Sequence, residues 1–382
     1  MGHKKIYFRR LQQQINRHDF KNLMEGRMRG PKPRKFSYRN QFDFMLYCIL
    51  NKSQSLREGI ETFNSHENKI YHSGFKQKLC LSTVSEANSN RSYEPYQELF
   101  FMLQKDLSRK HTNKANKLPV KIIDSTTFTF SDRRIMWAKY NSKNRGLKIH
   151  LMLDEPGFKP EQAHITTGKT ADVTGFDKFD FEEGNLYVMD RAYLDSKRLY
   201  KLNKSGGFFI VRMKDNIINQ ITSAKKIKNV ENVLEEKRIQ MMGDRSQAYE
   251  DSLRAITIYD PNKGENFDVI TNHPKLTAKE IADLYRRRWA IEIFFRWFKQ
   301  VLKINKFYGI SENAIKMQIW ISLILCLLLW KMHRQPEWKK FEFINFLRRF
   351  RTLLFHHENK LQNKQKPPPN EKQIFLFGEK AA

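Results

Sequence analysis

The sequence has few cysteines and no long apolar segment. Cys48, Cys80 and Cys326 are far apart and form no C-x-x-C pair, so we expect neither a disulfide framework nor a zinc knuckle, but buried thiols in a reducing compartment. The longest apolar run, Ile319–Trp330, has twelve residues. This is too short to span a bilayer, and it predicts a core helix. The charged N-terminus also lacks the apolar core of a signal peptide, so we expect a cytoplasmic protein without membrane contact.

Acidic residues are scarce relative to basic ones. The 382-residue chain has 41 Asp and Glu against 70 Lys and Arg, which gives a formal net charge of +29 at pH 7. Nucleic acid is the leading candidate partner, because each neutralised phosphate releases counterions and adds affinity. On composition alone, a ribosome-like or merely soluble basic protein remains an alternative.

The N-terminal region combines basic charge with helical spacing. Met1–Asn40 carries twelve Lys and Arg against two acids, and Gly26–Lys35 is broken by Pro and Gly. An arm along DNA and a solvated lead-in are both compatible with this stretch. Apolar residues then recur at helical spacing in Asn40–Leu50 and Glu94–Leu107. We therefore predict a basic helical DNA-binding domain over residues 1–115.

Strand-like patterns begin at Leu118 and alternate with helical ones. The predicted strands are Leu118–Phe130, Leu147–Leu153, Glu161–Gly168, Asn185–Asp190, Gly207–Met213, Leu253–Asp260 and Phe267–Asn272. The predicted helices are Val173–Phe179, Ser196–Lys204, one from a capping box at Thr277 and Glu280 to about Leu302, and one near Ile319–Met332. This order indicates an α/β core with a mixed sheet.

A polar stripe crosses the apolar helical segment Leu284–Gln300. On a wheel at about 100° per residue, Tyr285, Arg288, Glu292 and Lys299 fall within about 60° of one another. An ion pair between Arg288 and Glu292 at i,i+4 is one explanation. The other is a functional site.

Two further acids favour the functional site. Asp124 lies on the apolar face of its predicted strand, which is costly unless a cation or hydrogen bonds compensate. Asp190 closes an apolar strand, where α/β sheets place their sites, although a helix N-cap or turn role would also explain it. With Glu292, three acids from separate elements predict a site for Mg²⁺ or Mn²⁺, which prefer oxygen ligands. Two such ions can activate a water or 3′-hydroxyl at a phosphodiester.

These residues carry a family resemblance. The stripe matches Y-x2-R-x3-E-x6-K, and DSTTF at Asp124 and DRAY at Asp190 are similar to two acidic motifs of the same family. The sequence thus resembles the bacterial insertion-sequence transposases of the "IS-four" family, a branch of the DDE transposases. The resemblance covers roughly residues 80–330. Ala192 stands where many relatives carry Gly.

The resemblance implies a fold and a domain order. The fold is α/β, with a ribonuclease-H-like mixed sheet flanked by helices. The catalytic domain would span residues 116–310, with a β-rich insertion at about 214–273. A C-terminal helical region and basic tail would follow at 311–382.

The resemblance also implies an activity. Asp124, Asp190 and Glu292 would be the catalytic residues and would hold two Mg²⁺ or Mn²⁺ ions. The protein would bind terminal inverted repeats and target DNA as a homodimer, in the nucleoid of a bacterial cytoplasm, and would cleave and transfer DNA strands. The alternatives are a transposase-derived DNA-binding protein without activity and another ribonuclease-H-like nuclease.

The DNA contacts follow from the same resemblance. Arg288 and Lys299 would contact phosphates near the cleaved end, and Tyr285 would position the DNA backbone. Arg191 and Arg212 are further candidates for phosphate contacts. Structural pairing with nearby acids is the alternative for these two arginines.

Overall fold

The structure is a computed structural model that describes residues 6–26, 33, 35–109, 118–130, 135–138, 145–155, 159–215, 217–242, 249–301 and 307–357. Most of the predicted basic arm at Gly26–Lys35 lies outside the described residues, as does the basic tail beyond residue 357. The chain divides into two compact units. A helical unit comprises residues 1–113, 130–138 and 296–382, and a sheet unit comprises residues 114–129 and 139–295. The predicted domain boundaries stay a prediction.

Helices account for most of the described part of the helical unit and for several elements of the sheet unit. In the described residues they are α1 Tyr7–Gln12, α2 Arg17–Gly26, α3 Tyr38–Asn51, α4 Leu56–Asn64, α5 Glu67–His72, α6 Leu81–Asn90, α7 Glu94–Arg109, α8 Asp172–Phe176, α9 Ser196–Lys204, α10 Ala278–Arg287, α11 Trp289–Val301, α12 Glu312–His333 and α13 Phe343–Leu353.

Helix α12 forms the core of the helical unit. Its length and composition would suit a membrane span, but 89% of its most apolar 18-residue window is buried inside the protein. It packs against α3 and α7, and the Trp320 ring lies 5.5 Å from the ring of Phe100. An apolar helix covered by other helices is a core helix, as the sequence predicts.

The sheet unit is built on one mixed sheet. Its strands are β1 Val120–Thr129, β2 Gly146–Glu155, β3 Lys159–Thr167, β4 Leu186–Met189, β5 Phe208–Arg212, β6 Asn219–Lys226, β7 Val233–Met241, β8 Leu253–Asp260 and β9 Glu265–Thr271. The order is β3-β2-β1-β4-β5-β9-β8-β7-β6. Strands β1 to β3 are antiparallel, and β4 and β5 run parallel to β1. With flanking helices, this is the α/β ribonuclease-H-like arrangement that the resemblance implies.

The β-rich insertion continues the core sheet. Strand β9 pairs antiparallel with β5, and β8, β7 and β6 follow in order. Strands β6 and β7 fall in the stretch Lys214–Ser252, whose sequence shows only a weak pattern. For β6 the reason is solvent exposure, because it is the edge strand and nearly all its residues are exposed. Strand β7 buries only Val233, Ile239 and Met241. An edge strand without a buried face needs no apolar alternation.

The predicted helix from Thr277 to about Leu302 is interrupted. The capping box of Thr277 and Glu280 is present at the start of α10, but the helix breaks at Arg288, between α10 and α11. The Arg288 backbone N–H donates to the Tyr285 carbonyl at 3.0 Å. This is a tighter turn than the α-helical one, although Arg288 keeps helical dihedral angles, with φ at −51° and ψ at −34°.

Gly175 allows α8 to pack closely on β2. A Cβ at Gly175 would lie 2.2 Å from Nδ1 of the buried His150. We expect Gly175→Ala to lower the free energy of unfolding by about 1–3 kcal/mol, because two packed elements must separate. Urea unfolding of both proteins measures this. Gly26→Ala is the control, since among the described residues a Cβ there meets nothing within 4 Å. Equal stability of Gly175→Ala and the wild type would contradict the prediction.

Candidate catalytic site

The register of the sheet places three charged residues side by side. The last pair of the β1–β4 ladder is Ile123 with Met189, and Asp124 and Asp190 are the next residues on their chains. Arg212 ends β5 at the same level. Neighbouring strands lie about 4.8 Å apart. The two acids that the sequence singles out therefore meet at the end of the parallel ladder, with a cation beside Asp190.

Arg288 connects the third acid to the first. Its Nη2 donates to Oε1 of Glu292 at 2.7 Å, and its Nη1 lies 3.5 Å from Oδ2 of Asp124. Glu292 lies in the first turn of α11. The i,i+4 ion pair that the sequence offers as an alternative is therefore present. The same guanidinium also contacts Asp124 on the sheet, so the ion pair belongs to a group of three acids, Asp124, Asp190 and Glu292, which we call the acidic cluster.

The three carboxylates influence one another. The pKa of Asp124 is raised to about 7, chiefly by burial and to a smaller extent by the negative charges of Asp190 and Glu292. A hydrogen bond from the Ser125 backbone N–H and the charge of Arg288 act in the opposite direction. Asp124 is thus partly protonated near neutral pH, as expected for a buried carboxyl with carboxylate neighbours and incomplete compensation.

Two of the acids also make local backbone contacts. Oδ1 of Asp124 accepts from the Ser125 N–H at 2.7 Å, and Oδ1 of Asp190 accepts from the Arg191 N–H at 2.7 Å. The second contact caps a short 3₁₀ helix, so Asp190 has the turn role that the sequence left open. Such contacts fix the direction of each side chain. They do not explain why three acids from separate elements lie together.

Tyr285 and Arg212 both pack against the ring of Phe267. The Tyr285 ring lies 5.7 Å from the Phe267 ring, and the Arg212 guanidinium lies 4.6 Å from the Phe267 centroid. Arg288 lies 5.8 Å from the Tyr285 ring. Burial raises the pKa of Tyr285 to about 12. Tyr285 therefore packs against Phe267 and beneath Arg288, whereas Arg212 lies over Phe267. A DNA contact for Tyr285 or Arg212 stays a prediction.

Lys299 and Arg191 differ in their burial. Lys299 is half-buried in the last turn of α11 and belongs to the helical unit. Burial lowers its pKa. Arg191 follows Asp190 and is exposed. Their roles in DNA binding stay predictions.

A second polar group beside Asp124 was missed by the sequence analysis. The Ser125 hydroxyl donates to the Asp172 carboxylate, and Nζ of Lys148 donates to the same carboxylate at 3.1 Å. The Tyr193 hydroxyl is buried near these groups, and burial raises its pKa. Ser125 and Tyr193 stand inside the DSTTF and DRAY motifs, which is a signal that could have found them. Asp172 has no such signal, because only folding brings it to β1.

The donor set suits a hard divalent cation. Carboxylate oxygens are the ligands that Mg²⁺ and Mn²⁺ prefer, and Arg288 contacts both Asp124 and Glu292. Within the described part of the chain, no three His, Cys, Asp or Glu side chains are close enough to hold an ion as they stand. The positive charge between Asp124 and Glu292 is the Arg288 guanidinium.

Comparison with known proteins decides the family. Residues 115–329, more than half of the chain, match the family described as "Transposase DDE domain". The chain belongs to this family of DDE transposases. The predicted membership of the DDE transposases is thereby confirmed, while the Tyr-Arg-Glu-Lys signature stays a resemblance and the catalytic roles of the three acids stay a prediction. Residues 3–76 match a second family, "Domain of unknown function (DUF4372)".

The chain is also similar to individual transposases. A probable transposase for insertion sequence element IS5377 of Geobacillus stearothermophilus is 28% identical over 83% of this chain and 83% of its own length. A putative transposase for insertion sequence element IS4SA of Synechocystis is 27% identical over 66% and 72%. The piggyBac transposase synaptic complex with hairpin DNA aligns at a TM-score of 0.41 and 10% identity, over 95% of this chain and 84% of that one.

Because the pKa of Asp124 is raised, the stability of the folded protein should depend on pH. The folded protein holds this proton up to a pKa of about 7, whereas an ordinary Asp loses it at 3.8. Stability from this group is therefore full below pH 4 and is lost as the pH rises through 7. Asp124→Asn removes the buried charge. We expect its unfolding temperature to exceed that of the wild type above pH 7 in chelator, and the gap to vanish near pH 4.

Thermal unfolding across this pH range, followed by circular dichroism, measures the gap. Asp106→Asn is the control, because Asp106 is exposed on α7. It should leave the pH dependence unchanged. A gap for Asp124→Asn that stays constant with pH would contradict the prediction.

Proposed function

We propose that this DDE transposase binds the ends of an insertion sequence and cleaves and transfers DNA strands with divalent metal ions. The observation that carries the proposal is geometric: Asp124 and Asp190 follow the last pair of the β1–β4 ladder, and Arg288 contacts both Asp124 and Glu292. In this proposal the three acids are the catalytic residues and hold two Mg²⁺ or Mn²⁺ ions. Such ions, when bound, activate the attacking oxygen and stabilise the leaving oxygen at a phosphodiester.

The protein side chains then bind and orient. Arg288 contacts both Asp124 and Glu292, so it holds α11 against the end of the sheet ladder. The cost of gathering like charges is lower with a guanidinium between them. Beside a bound phosphate, the same group would also stabilise developing negative charge. Arg288 is thus a positioning residue in the free protein and a candidate phosphate contact on DNA.

The DNA partner is supported by charge. The chain has a net charge of +29 after all its acids are counted. An excess of this size favours binding to a polyanion such as DNA. Tyr285, Lys299, Arg191 and Arg212 are the other proposed DNA contacts. The domain at 1–115 would bind DNA, and 116–310 would carry the chemistry. Terminal inverted repeats and target DNA in the bacterial nucleoid would be the substrates, and joining two ends would require a homodimer.

Glu292→Gln tests the catalytic role. Glutamine keeps an acceptor for Arg288 but removes the charge, so we expect folding and DNA binding to persist while excision falls about a hundredfold or more. The assay is excision in cells of a marker flanked by the native DNA on both sides of this gene. Glu265→Gln is the matched control, because Glu265 is an exposed residue at the start of β9.

The same pair of variants separates the alternatives. Mn²⁺ binding, followed by the paramagnetic signal of the ion, should weaken in Glu292→Gln and not in Glu265→Gln. If wild type and both variants excise equally, Glu292 has no catalytic role. If the wild type binds the flanking DNA but excises nothing, the DNA-binding protein without activity becomes the better description.

Lys299→Gln tests the phosphate contact. Removing one contact to duplex DNA should lower the slope of log affinity against log salt by about 0.9 and weaken binding at every sequence. Fluorescence anisotropy with labelled end DNA over a salt series measures the slope. Lys105→Gln, an exposed site on α7, is the control for loss of one charge. An unchanged slope in Lys299→Gln argues against the contact.

A further inference from the structure

A cavity of about 500 Å³ opens in the helical unit. It lies within the segment that matches a domain of unknown function, residues 3–76. Helices α1 and α2 and the first turns of α3 form most of its wall. A volume of this size suits a small organic ligand and is larger than an isolated phosphate needs.

The charges around the cavity are mainly positive. Four cations line it, and the acids are Glu25 and Asp43. The cations are Arg9, Arg17, Lys21 and Arg39. Asp43 is paired within the wall, because Nε of Arg39 lies 3.0 Å and 2.9 Å from its two carboxylate oxygens, and burial raises the pKa of Asp43 to about 6. The uncompensated charge of the cavity therefore suits an anion.

Arg39 is held in place with one donor unused. Its guanidinium lies 5.1 Å from the ring centroid of Phe20 and 5.9 Å from that of Phe42, and Nη2 donates to the Gln12 carbonyl. Among the described residues, the buried Nη1 has no hydrogen-bond partner. A buried charged donor without an acceptor is costly, and a ligand oxygen would satisfy it.

The floor of the cavity is apolar. Phe20 and Met24 line it and are buried in the core of the helical unit. Arg17 and Lys21 lie on the same helix and are exposed at the rim. The combination suits a sugar-phosphate unit. The phosphate would contact the cationic side chains, and the carbon atoms of the sugar would pack on the apolar floor.

We propose that this cavity binds the DNA backbone, with a phosphate at Arg17, Lys21 and Arg39 and its deoxyribose over Phe20 and Met24. The inference rests on the proposed function, because it assumes that DNA is the polyanion. It gives the N-terminal domain a specific role. That domain would bind the DNA backbone in a defined cavity, in addition to attracting DNA through its general positive charge.

The double variant Arg17→Gln/Lys21→Gln tests the site. Both residues are exposed, so folding should persist. Two lost phosphate contacts should lower the salt slope of end-DNA binding by about 1.8 and weaken affinity at 0.1 M salt roughly tenfold or more. The measurement is fluorescence anisotropy of the full chain with labelled native flanking DNA. The double variant Arg57→Gln/Lys105→Gln removes the same charge from exposed positions on α4 and α7, outside the cavity.

The outcomes separate this inference from the proposed function. A cavity variant that keeps the wild-type slope overturns the inference and leaves the function standing. An equal loss in the control variant also overturns it, because general charge would then explain the binding. Wild-type protein that binds no flanking DNA overturns both.

A small ligand gives an independent measurement. Deoxyadenosine 5′-monophosphate should raise the unfolding temperature of the wild type more than that of the cavity variant, and deoxyadenosine should raise neither. Equal stabilisation of wild type and cavity variant by the monophosphate would place the phosphate elsewhere and overturn the inference.

Discussion

The Arg288 guanidinium is the interaction on which the acidic cluster depends. Carboxylates gathered at the end of a sheet repel one another and lose hydration, and both effects favour protonation. One cation between Asp124 and Glu292 opposes this and joins α11 to β1. The helix breaks at Arg288 itself. Arg288 thus lies between α10 and α11. Its positive charge offsets the repulsion between the acids of the cluster.

Strand register provides the rest of the site. Because β1 and β4 are parallel and end their pairing together, Asp124 and Asp190 are neighbours without any special loop. The insertion contributes as well, since β9 pairs with β5 and brings Phe267 under Arg212 and against Tyr285. A stretch that separates Asp190 from Glu292 by about a hundred positions is therefore part of the wall around the acids.

The sequence predicted those parts of the fold that bury an apolar face. Helix α9 and strand β8 have the predicted bounds, because their apolar periodicity reports burial directly. Strand β6 was missed because solvent covers it, and the break at Arg288 was missed because no Pro or Gly marks it. For the site, motif order identified the acids, but spacing along the chain could not reveal Asp172 beside Ser125 or the burial of Tyr285.

The distribution of charge separates binding from chemistry. Carboxylates that would hold metal ions also repel a DNA phosphate, so the site by itself opposes the approach of its substrate. Affinity must come from cations elsewhere on the chain, and a net charge of +29 supplies them in excess. The proposed cavity in the N-terminal helices would supply part of this affinity, since its cations line a pocket in the helical unit, whereas the acids belong to the sheet unit. Loss of an acid should therefore spare DNA affinity, and loss of a cation of the cavity should spare the chemistry of bound DNA.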